Sequence, residues 1–162
     1  MANYRYDVES TVNSIVRYKC THIFGVPAML IDIMNHIEDN EIVVSDLHSV
    51  VTAATTVPLE VVQRFAKVVP SINDIQIVYG ATESSPIITS PLLGSKMMSN
   101  LDNVGVPLDF AEVKLVNKNT KEIVKIGEEG ELMTRSPFVF LGYYNDEHQT
   151  RKVIHSGWYN TG

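Results

Sequence analysis

The sequence predicts an α/β protein: a partial parallel sheet with covering helices, followed by an antiparallel β-rich, distorted barrel-like part. Three observations predict it. From Asp7 to about Tyr79, short apolar runs alternate with helix-period segments, the texture of a parallel sheet covered on its faces. After roughly Asn103 the pattern turns to period-two alternation broken by turn residues, as in antiparallel hairpins. Between the two lies "LLGSKMMSNLDN", a polar connection containing Gly and Ser.

The elements follow in order. Asp7 is placed to cap a helix in which Val8, Val12, Ile15 and Val16 recur at helical spacing. "THIFG" (21–25) reads as a buried strand. Pro27 opens a second helix, with Leu30, Ile33, Met34 and Ile37 on one face. "LHSVVT" (47–52) is the next strand. Pro58 opens a third helix with Leu59, Val62, Phe65, Ala66 and Val69 aligned, and Pro70 ends it. "DIQIVYG" (74–80) is the third strand. Beyond the connection, "AEVKLVN" (111–117), "EIVKI" and "GELMTR" read as strands, with turns at "KNTK" and at 127–130. A short helix from Glu147 to about Ile154 and the aromatic "GWYNTG" close the chain. The expected division is therefore 1–93 as part of an α/β subdomain, 94–103 as connection, and 104–162 as a β-rich subdomain with a short helix. Three strands and three helices make a small sheet with two open edges, as though further strands belonged beside it.

Composition excludes several classes. The 13 Lys and Arg against 19 Asp and Glu give a net charge of -6, and no basic stripe is present, which argues against nucleic acid as a partner. Cys20 is the single cysteine, so neither an intrachain disulfide framework nor a cysteine-rich zinc site can form. No apolar run approaches the roughly 20 residues of a membrane span, and "MANYRYDVES" has no apolar signal core. The five histidines lack metal-ligand spacing, no G-x-S-x-G elbow surrounds Ser84 and Ser85, and "GSK" (94–96) lacks the spacing of a P-loop.

The chemistry concentrates in "IQIVYGATESSPIITS" (75–90). A β-branched run ends on Tyr79, turns at Gly80 and Ala81, and delivers Thr82 and Glu83. Ligands in open α/β sheets bind beyond the carboxyl ends of the strands. Gly80 allows a sharp turn or a close backbone approach. A tyrosine ring offers a stacking surface for a base, a hydroxyl can hold a phosphate oxygen, and a carboxylate can hold Mg²⁺ together with substrate phosphates. The alternative is a strand-end turn with a solvated glutamate.

Taken with "FGVPAML", "VVTAATTVPLE", "VGVP", "GELMTRSPFVFLGYYND" and "GWYNTG", this stretch resembles the adenylate-forming (AMP-dependent synthetase/ligase) superfamily, and within it the medium-chain fatty acyl-CoA synthetases. The resemblance runs from about Tyr6 to Gly162. It implies a two-step reaction: a carboxylate attacks the α-phosphate of ATP to give acyl-AMP and pyrophosphate, and coenzyme A then displaces AMP. It implies that Tyr79, Gly80, Ala81 and Thr82, with Ala53 and Ala54, contact the nucleotide. Thr82 and Glu83 would act on the reacting phosphate, Glu83 as the Mg²⁺ ligand. Val26, Pro27, Leu30 and Thr55 would line the acyl pocket for a fatty acid. Glu131, Arg135, Gly142 and Tyr143 match family positions that read as mostly architectural. The chain departs from the family in the turn after the second strand, where Ala54 and Thr56 stand in place of the usual Gly and Pro.

The resemblance also implies parts beyond this chain: an upstream phosphate loop, an aspartate following the Thr-Gly of "GWYNTG", and a mobile C-terminal domain with a catalytic lysine. The expectation is a middle slice of an acyl-CoA synthetase, inactive by itself. The alternative is a non-catalytic nucleotide- or acyl-binding remnant or interaction module. The likeness points to mitochondria, any targeting segment preceding Met1, and otherwise to the cytoplasm.

Overall fold

The computed structural model describes residues 5–55, 57–92 and 103–162. Thr56 and residues 93–102, which include all of the expected 94–103 connection but its last residue, with the "GSK" and the methionine pair at 97–98, lie outside the described residues. The chain separates into two compact units, Met1–Val78 with Pro91–Gly105, and Tyr79–Ser90 with Val106–Gly162.

The first unit opens with α1 (Val8–Arg17), which starts where it does because the Asp7 carboxylate accepts the Ser10 amide at 2.8 Å. Helix α2 (Pro27–Asp39) starts on a proline, whose missing N–H is harmless in the first turn. Helix α3 (Leu59–Val68) follows Pro58. Three strands, β1 (His22–Phe24), β2 (Ser49–Thr52) and β3 (Asp74–Ile77), form a parallel sheet in the order β1-β2-β3. Its register pairs Ser49 with both His22 and Asp74. The core combines Val12 of α1, Leu30, Ile33 and Met34 of α2, Val50 of β2, and Val62 and Phe65 of α3. Helices α2 and α3 are also joined by Arg64, which donates to Asn35 and Glu38; its exposure makes that pair a minor contributor.

Two expectations need correction here. Strand β1 is not buried: its residues alternate from exposed to half-buried, and Phe24 is 63% exposed, because among the described residues β1 is an edge strand with no neighbour on its outer side. Strand β3 ends at Ile77, not at 80. Val78 still donates to Thr52 O at 3.0 Å, but Tyr79 leaves the parallel ladder and bridges Thr89 antiparallel.

In the second unit, β4 (Thr89–Ser90) pairs antiparallel with β5 (Val106–Pro107). Strands β6 (Glu112–Val116), β7 (Glu131–Arg135), β8 (Ile154–His155) and β9 (Trp158–Asn160) form an antiparallel sheet in the order β6-β7-β9-β8, open at both ends among the described residues. The expected "EIVKI" strand reduces to one bridge, Ile123 to Val116. Ile123 and Ile126 are both exposed, so no buried face holds that segment in a ladder. Helix α4 (Glu147–Val153) is capped by Asp146, whose carboxylate accepts the Gln149 amide at 2.9 Å. The Lys114 ammonium stands 4.1 Å from the Trp158 ring centroid and the Arg135 guanidinium 4.8 Å from it. Arg135 in turn grips Glu112 at two points, 3.0 and 2.6 Å. Among the described residues no helix is long and apolar enough to cross a membrane.

Candidate functional site

The loop from Tyr79 to Thr89 is tied at its base by three main-chain bonds: Tyr79 N to Thr89 O (3.2 Å), and Ile88 N and Thr89 N to Tyr79 O (2.8 and 3.1 Å). Within it, Gly80 passes so close to the returning strand that a Cβ there would lie 1.8 Å from Pro86 O and 2.8 Å from Ile87 Cα. Only glycine fits. Thr82–Ser84 form one 3₁₀ turn. Ser84, fully buried, shapes it by accepting the Ala81 amide at 3.0 Å and donating to Ala81 O at 2.8 Å. A single serine thereby satisfies a tight turn that has few main-chain bonds of its own.

That turn projects Glu83 toward three aromatic residues. The Tyr143 hydroxyl donates to Glu83 Oε1 at 2.7 Å, and Phe140 N–H donates to Glu83 O at 2.8 Å. The Phe140 ring stands edge-on to Tyr143 at 4.9 Å and to Tyr159 at 5.8 Å. The Tyr143 hydroxyl holds the Glu83 carboxyl below the usual range, helped by the residue's own amide and, least, by the nearby Tyr159 hydroxyl, and opposed by burial. Burial, with the Glu83 charge second, pushes the Tyr159 phenol up to about 12. Glu83 is therefore an ionised carboxylate at neutral pH. A carboxylate has about four lone-pair directions; the Tyr143 phenol leaves room for a cation, and one carboxylate completed by phosphate oxygens is a set that Mg²⁺ accepts. Among the described residues no cluster of three or more His, Cys, Asp or Glu could hold a metal alone.

Tyr79 is half-buried, and its hydroxyl donates to Thr161 Oγ1 at 2.9 Å, linking positions 82 residues apart. Thr161 also donates to Leu132 O at 3.1 Å. Thr82, at the head of the 3₁₀ turn, is exposed.

The remaining expected site residues lie in the first unit. Ala53, Ala54 and Thr55 follow the carboxyl end of β2, and Ala54 and Thr55 are exposed. Ala54 has φ +77°, a conformation glycine adopts more readily. Val26 precedes α2 and is 39% exposed, whereas Pro27 and Leu30 are buried on its core face. Phe140, Tyr143, Tyr159, Thr161 and Ser84 were not among the expected site residues. Tyr143, read from sequence as mostly architectural, touches Glu83 directly. Aromatic clustering in "FVFLGYY" and "GWYN" was the available signal, but nothing in either spacing says which ring reaches a carboxylate.

A family model described as "AMP-binding enzyme" matches residues 2–144, and the chain belongs to that family. Among curated relatives it is 33% identical over 158 residues to medium-chain acyl-CoA ligase ACSF2, mitochondrial, of Danio rerio, covering 97% of this chain and 26% of that one. It is 31% identical to 4-coumarate–CoA ligase-like 6 of Oryza sativa subsp. japonica, covering 98% and 26%. Among solved structures it matches a long-chain-fatty-acid-CoA ligase (FadD1) from Archaeoglobus fulgidus with a TM-score of 0.81 at 25% identity, covering 97% of this chain and 34% of that one. The anthranilate CoA ligase AuaEII in complex with anthranoyl-AMP shares the fold, with a TM-score of 0.83 at 23% identity. The chain spans 26–29% of the length of such curated relatives. Together these findings mark the chain as homologous to one segment of the adenylate-forming ligases.

Proposed function

We propose that this chain supplies part of the adenylate site of an acyl-CoA synthetase that activates a fatty, medium-chain carboxylate. The observation that carries the reading is the oriented, ionised Glu83 beside Thr82, on a loop that only Gly80 permits. In this assignment Tyr79 stacks on adenine, with Gly80 and Ala81 alongside the nucleotide, and Thr82 donates to an α-phosphate oxygen. Glu83 would be the residue holding Mg²⁺, which neutralises phosphate charge when bound. Of the first unit's residues, Ala53 and Ala54 are assigned to the nucleotide, and Val26, Pro27, Leu30 and Thr55 to the acyl pocket. Val26 and Thr55, both exposed, present apolar and hydroxyl-bearing surface for those roles.

The chemistry asks little of protein acid–base groups. A carboxylate oxygen forms a bond to the α-phosphorus, and the bond to pyrophosphate breaks. What the protein supplies is alignment of two anions and fixed positive or hydrogen-bonding character at the phosphate oxygens. Thr82 and Glu83 suit those tasks, and Tyr79 suits the anchoring of the base. Coenzyme A as the second substrate, and mitochondrial residence, rest on the likeness to the relatives named above. The grouping of 1–93 and 104–162 as parts of two subdomains joined by 94–103 rests on the change from helix-period to alternating texture along the sequence.

Because the chain spans under a third of those relatives, we expect no acyl-adenylate from it alone. Incubation with ATP, Mg²⁺ and a medium-chain fatty acid should give no product above a Glu83→Ala control; turnover above that control would overturn the fragment reading. Sequencing the native transcript across both ends of the chain is the companion test. An aspartate codon after Gly162 and an upstream phosphate loop support the synthetase. A start at Met1 and a stop after Gly162 would instead favour a binding remnant.

A further inference from the structure

One segment of the second unit holds Glu83 at two points. Tyr143 comes from the segment that precedes α4, and its hydroxyl is 2.7 Å from Glu83 Oε1. Phe140, from the same segment, donates its amide to the Glu83 carbonyl at 2.8 Å, and its ring meets those of Tyr143 and the buried Tyr159 of β9 in edge contacts at 4.9 and 5.8 Å. Phe140 thus fixes the Glu83 main chain and props the ring that fixes its side chain.

Packing alone does not account for this. Tyr143 is 38% exposed, so its hydroxyl has water as an alternative partner. What the arrangement does provide is a direction. A free glutamate has three rotatable bonds, and ordering it when a ligand arrives would weaken binding. Held by one phenol at its carboxylate and by the Phe140 amide at its main chain, it is ordered in advance.

We propose that Tyr143, braced by Phe140, is a positioning residue that holds the Glu83 carboxylate in a single orientation with its remaining lone pairs free for a cation. The usefulness of that orientation rests on the nucleotide reading above. The orientation itself does not.

The test uses the full 162-residue chain without ligand, labelled with ¹³C at the glutamate carboxyl carbons, the Glu83 signal being assigned by Glu83→Gln. Tyr143→Phe keeps the ring and removes the hydroxyl; the Glu83 carboxyl resonance should move toward the position of solvent-exposed glutamates. Phe140→Leu keeps the amide that holds Glu83 O but removes the brace, and should displace the same resonance, whereas Phe140→Tyr should leave it in place. A merely structural Phe140 would not discriminate in this way. A Glu83 signal unchanged in Tyr143→Phe and in Phe140→Leu would overturn the proposal. A double-mutant cycle of Tyr143→Phe with Glu83→Gln guards against a silent spectrum. The unfolding constants should depart from additivity by at least about threefold, and additivity would again overturn it. An ordered Glu83 that loosens in the variants supports the brace even where Mg²⁺ and ATP leave the spectrum unchanged, an outcome that would count against the nucleotide reading instead.

Discussion

Replacing Gly80 with alanine should disrupt the loop that carries Thr82 and Glu83, and the size of the effect can be worked from the geometry. The new Cβ would sit 1.8 Å from Pro86 O, and 2.8 Å from both Pro86 C and Ile87 Cα. Ordinary contact begins near 3.4 Å, so the Pro86 carbonyl must retreat by roughly 1.6 Å. All three obstructing atoms are main chain, so no rotamer change relieves them, unlike most overpacked sites. The retreat pulls on the three bonds between Tyr79 and Ile88–Thr89. At about 1 kcal/mol each, their loss puts the destabilisation near ~3 kcal/mol. Gly127→Ala is the control. Gly127 has φ +91°, and a methyl group added there would meet nothing within 4 Å, so only left-handed strain of about 1–2 kcal/mol applies. Urea unfolding followed by the fluorescence of Trp158, the chain's single tryptophan and part of the second unit, reads both variants. A Gly80→Ala variant no less stable than Gly127→Ala would refute the close-approach argument.

Three further outcomes follow from the same geometry. Ala54→Gly should stabilise by roughly 0.5–1 kcal/mol, relief of left-handed strain outweighing the entropy of a freer unfolded chain; a loss of thermal stability would show that the Cβ packs usefully. Thr52 is fully buried and its hydroxyl has no partner among the described residues, so Thr52→Val should be neutral or stabilising by up to about 1 kcal/mol, and a marked drop in melting temperature would reveal a partner. Tyr159 ionises in the unfolded chain near the ordinary value of 10 and in the folded one at about 12. Its contribution is thus fully present below pH 10 and is lost as pH rises through 12, on the order of 2–3 kcal/mol. Tyr159→Phe should flatten that part of the stability–pH curve, and an unchanged curve would contradict the burial of the phenol.

The elements of the first unit were legible because their signals are local. Asp7, Pro27 and Pro58 mark three helix starts, and most of the apolar faces that follow are buried in the core, although Val16 and Leu59 remain exposed. Edge and centre are not local, which is why "THIFG" read as buried although β1 has only one neighbour among the described residues. "EIVKI" has strand composition, yet Ile123 and Ile126 find no apolar surface to cover, and tertiary context overrides propensity there. The site was half legible. The Tyr79–Glu83 run announces itself by residue type, and Gly80 by its place in it. The partners of Glu83 come from residues far along the chain, and only the folding of the second unit brings Tyr143 to its carboxylate and Phe140 to its main chain. Ser84 escaped notice for the opposite reason, its task being to bond the main chain three residues away.

The most direct test of the central claim is a ¹⁵N NMR titration of the 162-residue chain with AMP at millimolar concentrations. The account predicts weak, saturable shifts centred on the amides of Tyr79 to Glu83, abolished by Tyr79→Ala. Shifts that avoid this loop, or micromolar binding that survives Tyr79→Ala, would contradict the assignment of these residues to the nucleotide.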